Sequence, residues 1–551
     1  MKLKETFFEI LPLLILINIF ALIYYWLKPD VKFLFYYIPL INILNLIVIF
    51  ISVLLNIKKI KNQFARLKKT SWILIILIFM IGLFLRAFVV PNTHRLLFDE
   101  DIYLNIAQNI VHDGKAVLCN YGTPKHCFEG VLNKQPNGLP VMLSVIYFIF
   151  GVSENNASYF MILASSFSIL LIFCVVYVWF KNETAALVSA LLLALNPISL
   201  LFAPTISAES LFVFFSLITI FSLKLILENR NFPSLTFFIS SLAFTIQIRP
   251  EAPLLVIPLL VFFVKEKIDK KILIGAILFF VLMSPYVFHS KQFINESWGN
   301  QEGYKFNNKY ALNNLKVNGG FFFDNERFPV LYTLLAFFGM AYMIRKQEFL
   351  KLSSMLLWFL SFFIIYLFFY AGSFKYGIDV RFSQTLFIPL FILGGIGAYY
   401  IIENFLNKVL KKFYVSFLII ILIIIISFLP FIKFVSAIGE EAWDARTDHD
   451  FSVNATKELG ENCIIFTHVP SMFLINGNHA LQTSYYSNPK ILNNIFINYD
   501  CVLFHDGYWC VNYKLFKDTV CKSLKQNFNL KVYKNISVRD KTYTLYNMTK
   551  K

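Results

Sequence analysis

The chain has 551 residues, 58% of them hydrophobic and only 15% charged, with 63 phenylalanines and a formal net charge of +17. So apolar a composition excludes a soluble enzyme and fits a polytopic membrane protein. The basic excess does not point to nucleic acid, because it sits in short loops between apolar runs ("KKIKNQFARLKK", "KEKIDKK", "NKVLKK"), while acids and bases nearly balance in residues 435–551.

The N-terminus, "MKLKETFFEILPLLILINIFALIYYWL", has the basic start of a signal peptide, but its apolar core is long and no small-residue cleavage site follows. It reads as a retained span. A bilayer core takes roughly 20 helical residues, somewhat fewer within a bundle. Runs of that kind lie at 7–27, 33–57, 72–90, 157–180, 185–203, 208–228, 233–248, 251–264, 271–289, 328–345, 352–371, 382–402 and 414–434, which predicts about 13 transmembrane helices. Lys58, Lys59, Lys61, Arg66, Lys68 and Lys69 assign their loop to the cytoplasm, so the N-terminus is expected inside and the stretch after the third run outside.

A further run, Gly138 to Gly151, is too short to span, and counting it would invert every later loop. It reads as a helix lying in the outer interface or dipping into it, within one outer loop 91–156. The odd count leaves residues 435–551 outside as well. Six of the seven cysteines then fall in outer segments. Cys119 and Cys127, which bracket a short loop, are expected to pair, and the other four outer cysteines allow three connectivities. Their spacing lacks a zinc signature. The strand-like runs "CIIFTH" and "CVLFHDGY" and the closing hairpin "LKVYKNISVRDKTYTLYNMTK" predict a small α/β domain.

The fold expected is therefore an all-α polytopic membrane protein with a small C-terminal extracytoplasmic α/β domain. Residues 1–70 would form two additional N-terminal helices. Residues 71–434 would form the membrane domain, with outer loops 91–156 and 290–327, and 435–551 the outer domain. A multi-pass protein of the cell membrane follows.

Chemistry is expected first in "RLLFDEDIYLNIAQNI". Ile102, Ile106 and Ile110 recur at helical spacing, with Asp101, Asn105, Gln108 and Asn109 on the other side, as in an amphipathic helix on a membrane surface. Asp99 and Glu100 stand at its first turn, where a carboxylate can cap the helix. A cap needs one acid, and three are present. Glu209 opens a later span, Arg249 and Glu251 share a tight outer turn, and Lys375, Asp379 and Arg381 open another span. A single Arg at a span end is more often a snorkelling anchor, but several converging with carboxylates mark a site.

In this order, "FDEDIYLNIAQNI", "KQPNGLPVMLSVIYFIFG", "LLLALNPISLLFAPTISAESLFVFF", "IRPEAPLL" and "RFSQTLFIPL" resemble the GT-C glycosyltransferases that use polyprenyl-phosphate sugars, in the branch of protein O-mannosyltransferases and lipid A aminoarabinose transferases. The resemblance covers about residues 70–400. Where many relatives have Pro-Pro-Leu this chain has "KQPNGLP", and where many have Arg-Tyr it has Arg381-Phe382.

The resemblance implies a GT-C-like fold and an inverting sugar transfer to an acceptor hydroxyl on the outer face. It makes Asp99 the general base and Glu100 an acceptor-positioning or supporting acid. Arg381, Arg249 and Lys375 would hold the donor phosphate, and Glu209, Lys134 and Tyr103 would contact substrate. His94 and Arg95 are further phosphate candidates, and Trp298, Tyr304 and Tyr310 could stack on a sugar. The partners implied are a polyprenyl-phosphate-linked sugar, a protein, glycan or lipid acceptor, and membrane lipids. No cofactor is called for, though a divalent metal stays open. The chemistry agrees, since a hydroxyl nucleophile needs a proton acceptor and a phosphate leaving group needs fixed positive charge.

Two other classes compete. A secondary transporter of a lipid-linked or anionic substrate would keep its ionisable groups near the midplane and show repeated halves. An oligosaccharyltransferase-like enzyme would carry a W-W-D-Y-G-like motif, whose letters "HDGYWC" shares in the wrong order, and a metal-binding acidic set.

Overall fold

In the computed structural model, the described residues are 15–96, 98–263, 270–293, 304–323, 326–374, 379–440, 442–514 and 517–551. Among the described residues, each of the thirteen apolar runs holds helix. Eight of these helices are long and apolar enough to cross a membrane: Val31–Gln63, Lys69–Val89, Glu154–Phe180, Ala208–Glu228, Lys270–Gln292, Phe349–Phe368, Asp379–Leu410 and Phe413–Ser436. Ile15–Trp26, Glu183–Ala194, Phe232–Ile246, Ala252–Phe263 and Val330–Arg345 are shorter apolar helices, as is Gly138–Phe150.

Side-chain placement in Val31–Gln63 is that of a membrane helix. Its buried stripe includes Asn42, Asn45, Ser52 and Asn56, while Leu40, Phe50 and Leu55 face outward. Polar groups turn inward because lipid offers them no hydrogen bonds. Arg86 obeys the same rule: fully buried, it donates to Ser165 Oγ at 2.9 Å and to the Leu193 and Ala194 carbonyls, the unpaired C-terminal end of Glu183–Ala194. Val330–Arg345 and Phe387–Ile401 cross where Gly339 and Gly397 leave room, since a Cβ on Gly397 would overlap the Leu335 carbonyl.

The bundle has two unlike ends. At one, Gln63 bonds Glu228 and Lys181, and Glu183 bonds Ser71, which places the Lys-rich loop between Val31–Gln63 and Lys69–Val89 there. At the other, Ala116 N donates to Phe35 O at 2.8 Å, and the sheet sits above.

That sheet has seven strands: β1 (Leu118–Gly122), β2 (Cys127–Val131), β3 (Cys463–Thr467), β4 (His479–Gln482), β5 (Cys501–Asp506), β6 (Phe528–Val538) and β7 (Lys541–Lys550), in the order β2-β1-β4-β3-β5-β7-β6. β3 is parallel to β4 and β5, and the other pairs are antiparallel. The strand-like runs expected at 463–468 and 501–508 and the closing hairpin expected at 530–550 appear as β3, β5 and the pair β6–β7. The sequence reading placed nothing at β1 and β2, yet Tyr121 pairs with Leu481 and Gly122 with Ala480, so the loop after the third run completes the C-terminal sheet.

Alternation along β3 divides two cores. Ile465 packs with Phe98, Val117 and Met472 toward the bundle, whereas Ile464 and Phe466 pack with Ile495 and Leu524 on the far side. Cys119 is bonded to Cys127, Cys463 to Cys501 and Cys510 to Cys521, and among the described residues Cys174 is the free cysteine.

Candidate active site

Asp99–Asp113 is a fifteen-residue helix that ends at Gly114, where a φ of 68° suits glycine. Its polar face is not at a water surface as an interfacial helix would have it. Asn105 Oδ1 accepts from Cys119 N, Asn109 donates to Val117 O, and Gln108 donates to the Pro124 and Leu474 carbonyls. The sheet unit therefore grips the helix along its length.

Successive helical residues point about 100° apart, so the three acids face three different neighbourhoods. Asp99 faces a cavity of about 600 Å³ at the sheet end of the bundle, with Tyr103 one turn on at the same wall. Phe98 stands at the N-cap and Asp99 is the first helical residue; Asp99 Oδ2 lies 3.1 Å from Arg381 Nη2 and 44% of the side chain is exposed. Burial, and then the Asp99 charge, push the Tyr103 phenol up, so it stays a hydrogen-bond donor.

The cavity floor is ionic. Glu209, at the start of Ala208–Glu228 and 2% exposed, uses Oε1 for both Arg249 Nη1 and Arg381 Nε, the latter at 3.1 Å. Arg249 Nε also lies 2.5 Å from Glu251 Oε1, which accepts from Tyr366 Oη at 2.6 Å. Arg249 reaches this position because Phe232–Ile246 stops short of "RPEAP", whose prolines start the next helix and cannot continue the last one. Arg381 stands in the 3₁₀ segment Asp379–Leu386, and both guanidiniums lie over the Phe382 ring, 5.2 and 5.3 Å from its centre. Tyr366 stacks on the same ring at 5.4 Å.

Lys134 lies on another wall, beside a loop held by His289 Nε2–H donating to Asn133 O at 2.6 Å. Gly138 N bonds Gln247 O, and a Cβ on Gly138 would come within 2.6 Å of that oxygen. Glycine there lets the Lys134 loop approach the Arg249 turn. Lys305, Tyr286 and Tyr370 also line the space.

The cavity thus collects Asp99, Tyr103, Lys134, Glu209, Arg249 and Arg381 from the sequence candidates. Glu100 is not among its lining residues. It is 1% exposed, and its carboxylate accepts three backbone N–H groups: Arg95 at 2.7 Å, Leu96 at 3.1 Å and Ile206 at 3.1 Å. Those bonds fix two loops, and the structure does not bring Glu100 into the cavity with the other candidates. Arg95 Nη2 donates to Ala437 O and His94 turns toward Glu154, so neither is a phosphate ligand of this cavity. Tyr304 and Tyr310 do not line it, and Lys375 and Trp298 lie outside the described residues. The sequence reading missed Tyr366, Tyr286 and His289, since an aromatic within an apolar run carries no signal of its own.

The model of the dolichyl-phosphate-mannose-protein mannosyltransferase family matches residues 134–289, the stretch that contributes Lys134, Glu209, Arg249 and His289. No curated protein matches by sequence search. Among solved structures, ArnT from Cupriavidus metallidurans bound to undecaprenyl phosphate is similar with a TM-score of 0.57 at 12% identity, covering 87% of this chain and 98% of that one. Its apo state gives 0.55 at 11% identity with the same coverage. The Archaeoglobus fulgidus oligosaccharyltransferase tethered with an acceptor peptide gives 0.51 at 10% identity, covering 89% of this chain and 75% of that one. These identities speak for the fold alone. With that fold over most of its length and the family match through the cavity wall, the chain is similar to the GT-C glycosyltransferases of the protein O-mannosyltransferase and lipid A aminoarabinose transferase branch.

Proposed function

We propose that the protein transfers a sugar from a polyprenyl-phosphate donor to an acceptor hydroxyl, with inversion, in a cavity on the non-cytoplasmic side. One observation carries the reading: a half-exposed carboxylate, Asp99, enters a cavity of about 600 Å³ beside two guanidiniums held in place by a buried acid. The Lys-rich loop after Val31–Gln63, at the opposite end of the bundle, supports an outward-facing cavity, and the ArnT structure bound to undecaprenyl phosphate supports the donor class.

In this mechanism the acceptor O–H gives its proton to Asp99 while its oxygen bonds to the anomeric carbon. The bond from that carbon to the phosphate oxygen breaks, and the electron pair leaves on the lipid phosphate. A single displacement inverts the centre. Arg381 and Arg249 hold the phosphate and stabilise the charge that gathers on it. Arg381 Nη2 lies 3.1 Å from Asp99 Oδ2. An arriving phosphate competes for that guanidinium and frees the carboxylate for the acceptor, so donor binding prepares the base. Glu209 anchors the two cations rather than touching sugar, and Lys134 and Tyr103 meet substrate from the other walls.

The test is transfer from labelled polyprenyl-phosphate sugars to a panel of acceptors by purified protein. Asp99→Asn is expected to fold and bind donor normally and to lose transfer by roughly a hundredfold or more. Full transfer by Asp99→Asn would end the assignment of the base.

A further inference from the structure

Asp101 has no part in the cavity, and its surroundings are of another kind. It is 1% exposed, on the side of its helix turned toward the C-terminal unit. His94, from the loop ahead of the helix, and His449, from helix Trp443–Thr456, flank it with ring centres 4.0 Å apart. One ligand-type atom from each of the three residues lies within 4.8 Å of the others. Glu154, the first residue of Glu154–Phe180, brings Oε1 to 2.7 Å from His94 Nε2 and Oε2 to 4.0 Å from His449 Nε2. Asp101 Oδ1 is 3.6 Å from the same His449 nitrogen.

Four ligands at zinc bond lengths of about 2.0–2.1 Å stand about 3.4 Å apart in a tetrahedron. The separations here bracket that value. Asp101 Oδ2 and His449 Nε2 are buried and have no hydrogen-bond partner among the described residues, an unfavourable arrangement for polar atoms unless something else occupies the space between them. The second ring nitrogens complete the pattern. His94 Nδ1 faces Glu100 Oε1 at 3.8 Å, and His449 Nδ1 faces Asp450 Oδ1 at 3.4 Å. Metal-ligating histidines present one nitrogen to the ion and the other to such a carboxylate.

We propose that His94, Asp101 and His449, with Glu154 as the fourth ligand, bind one Zn²⁺ ion that clamps the C-terminal unit to the membrane bundle. Two imidazoles select a borderline transition metal over Mg²⁺ or Ca²⁺, and four protein ligands in a buried setting make a closed, structural site. The ion joins three segments remote in sequence: the Asp99 helix with its lead-in loop, the start of a span, and the first helix of the C-terminal unit. None of its ligands lines the catalytic cavity.

The experiment uses full-length protein without a histidine tag, stripped with a chelator and titrated with Zn²⁺, and with Co²⁺ as the spectroscopic probe. One equivalent is expected to bind per chain, with tetrahedral Co²⁺ absorption and a raised thermal midpoint. His449→Ala and Asp101→Asn should lower Zn²⁺ affinity at least tenfold. Asp450→Asn, which leaves every ligand in place, should lower it tenfold to a hundredfold. Wild-type protein that takes up no more Zn²⁺ than a monodisperse His94→Gln/His449→Gln variant would overturn the proposal. Should the His94, Asp101 and His449 variants not fold, unchanged affinity in Asp450→Asn and Glu154→Gln would overturn it equally. Bound metal is the readout, so failure here leaves the glycosyltransferase reading standing.

Discussion

Glu209→Gln removes one negative charge from beneath two guanidiniums. The acid is 2% exposed and meets Arg249 and Arg381 through a single oxygen. At an effective dielectric near 20, a pair at 3.1 Å carries roughly 5 kcal/mol of Coulomb attraction. Much of this offsets desolvation, and removing one partner of a buried pair costs about 3–5 kcal/mol because the other charge stays behind. Arg381 keeps Asp99 and Arg249 keeps Glu251, so the loss should fall near the lower bound, about 3 kcal/mol. Each kcal/mol moves the midpoint by about 2–4 °C in domains of ordinary size, and by less in a larger unit, so a fall of roughly 5–10 °C is expected. Thermal unfolding of the purified protein in detergent reads it directly. An unchanged midpoint would refute the claim that Glu209 holds the two cations in place.

Arg381→Lys keeps the charge but cannot reach Glu209, Asp99 and a phosphate through one planar fork. Losing one charge-assisted hydrogen bond of about 1.5–3 kcal/mol weakens donor binding about tenfold or more, measured by titration with polyprenyl phosphate, and normal affinity would pass the role to Arg249. For topology, single cysteines at Lys134 and Asp500 should react with impermeant reagent from outside, and those at Lys68 and Lys270 from the cytoplasm. Labelling of Val152 from the cytoplasm alone would show that Gly138–Phe150 crosses the bilayer.

The cavity was legible in the sequence because lipid makes ionisable residues expensive: Glu209, Arg249 and Arg381 each stand out at the end of an apolar run. Helix positions were legible for the same reason. Pairings between distant segments were not. β1 meets β4 across some 360 residues, and no local pattern in "LCNYG" states its partner. The cluster of His94, Asp101 and His449 was hidden likewise, since its members share no spacing. The polar stripe Asn105, Gln108 and Asn109 was read as facing water because sequence shows polarity and not what covers it. Here backbone groups of the β1–β2 hairpin and of Pro470–Ile475 cover it.

Adjacent acids looked alike in sequence and differ in place, so paired variants should separate them. Asp99 is partly exposed and pairs with Arg381, whereas both Glu100 oxygens are committed to N–H groups from residues 95, 96 and 206. Asn at 99 keeps the shape and can still bond the guanidinium, so stability should hold while transfer falls. Gln at 100 cannot satisfy the same donors, because whichever way its amide turns, an NH₂ group confronts a backbone N–H. A buried donor left unpaired costs about 1–3 kcal/mol, more where a charge is lost. Glu100→Gln should therefore lower the thermal midpoint and loosen the loops at 95–96 and 206, seen as faster amide exchange there, with transfer falling only as far as the fold does. Glu100→Gln that is fully stable yet inactive would reverse the assignment and make Glu100 the chemical acid of the pair.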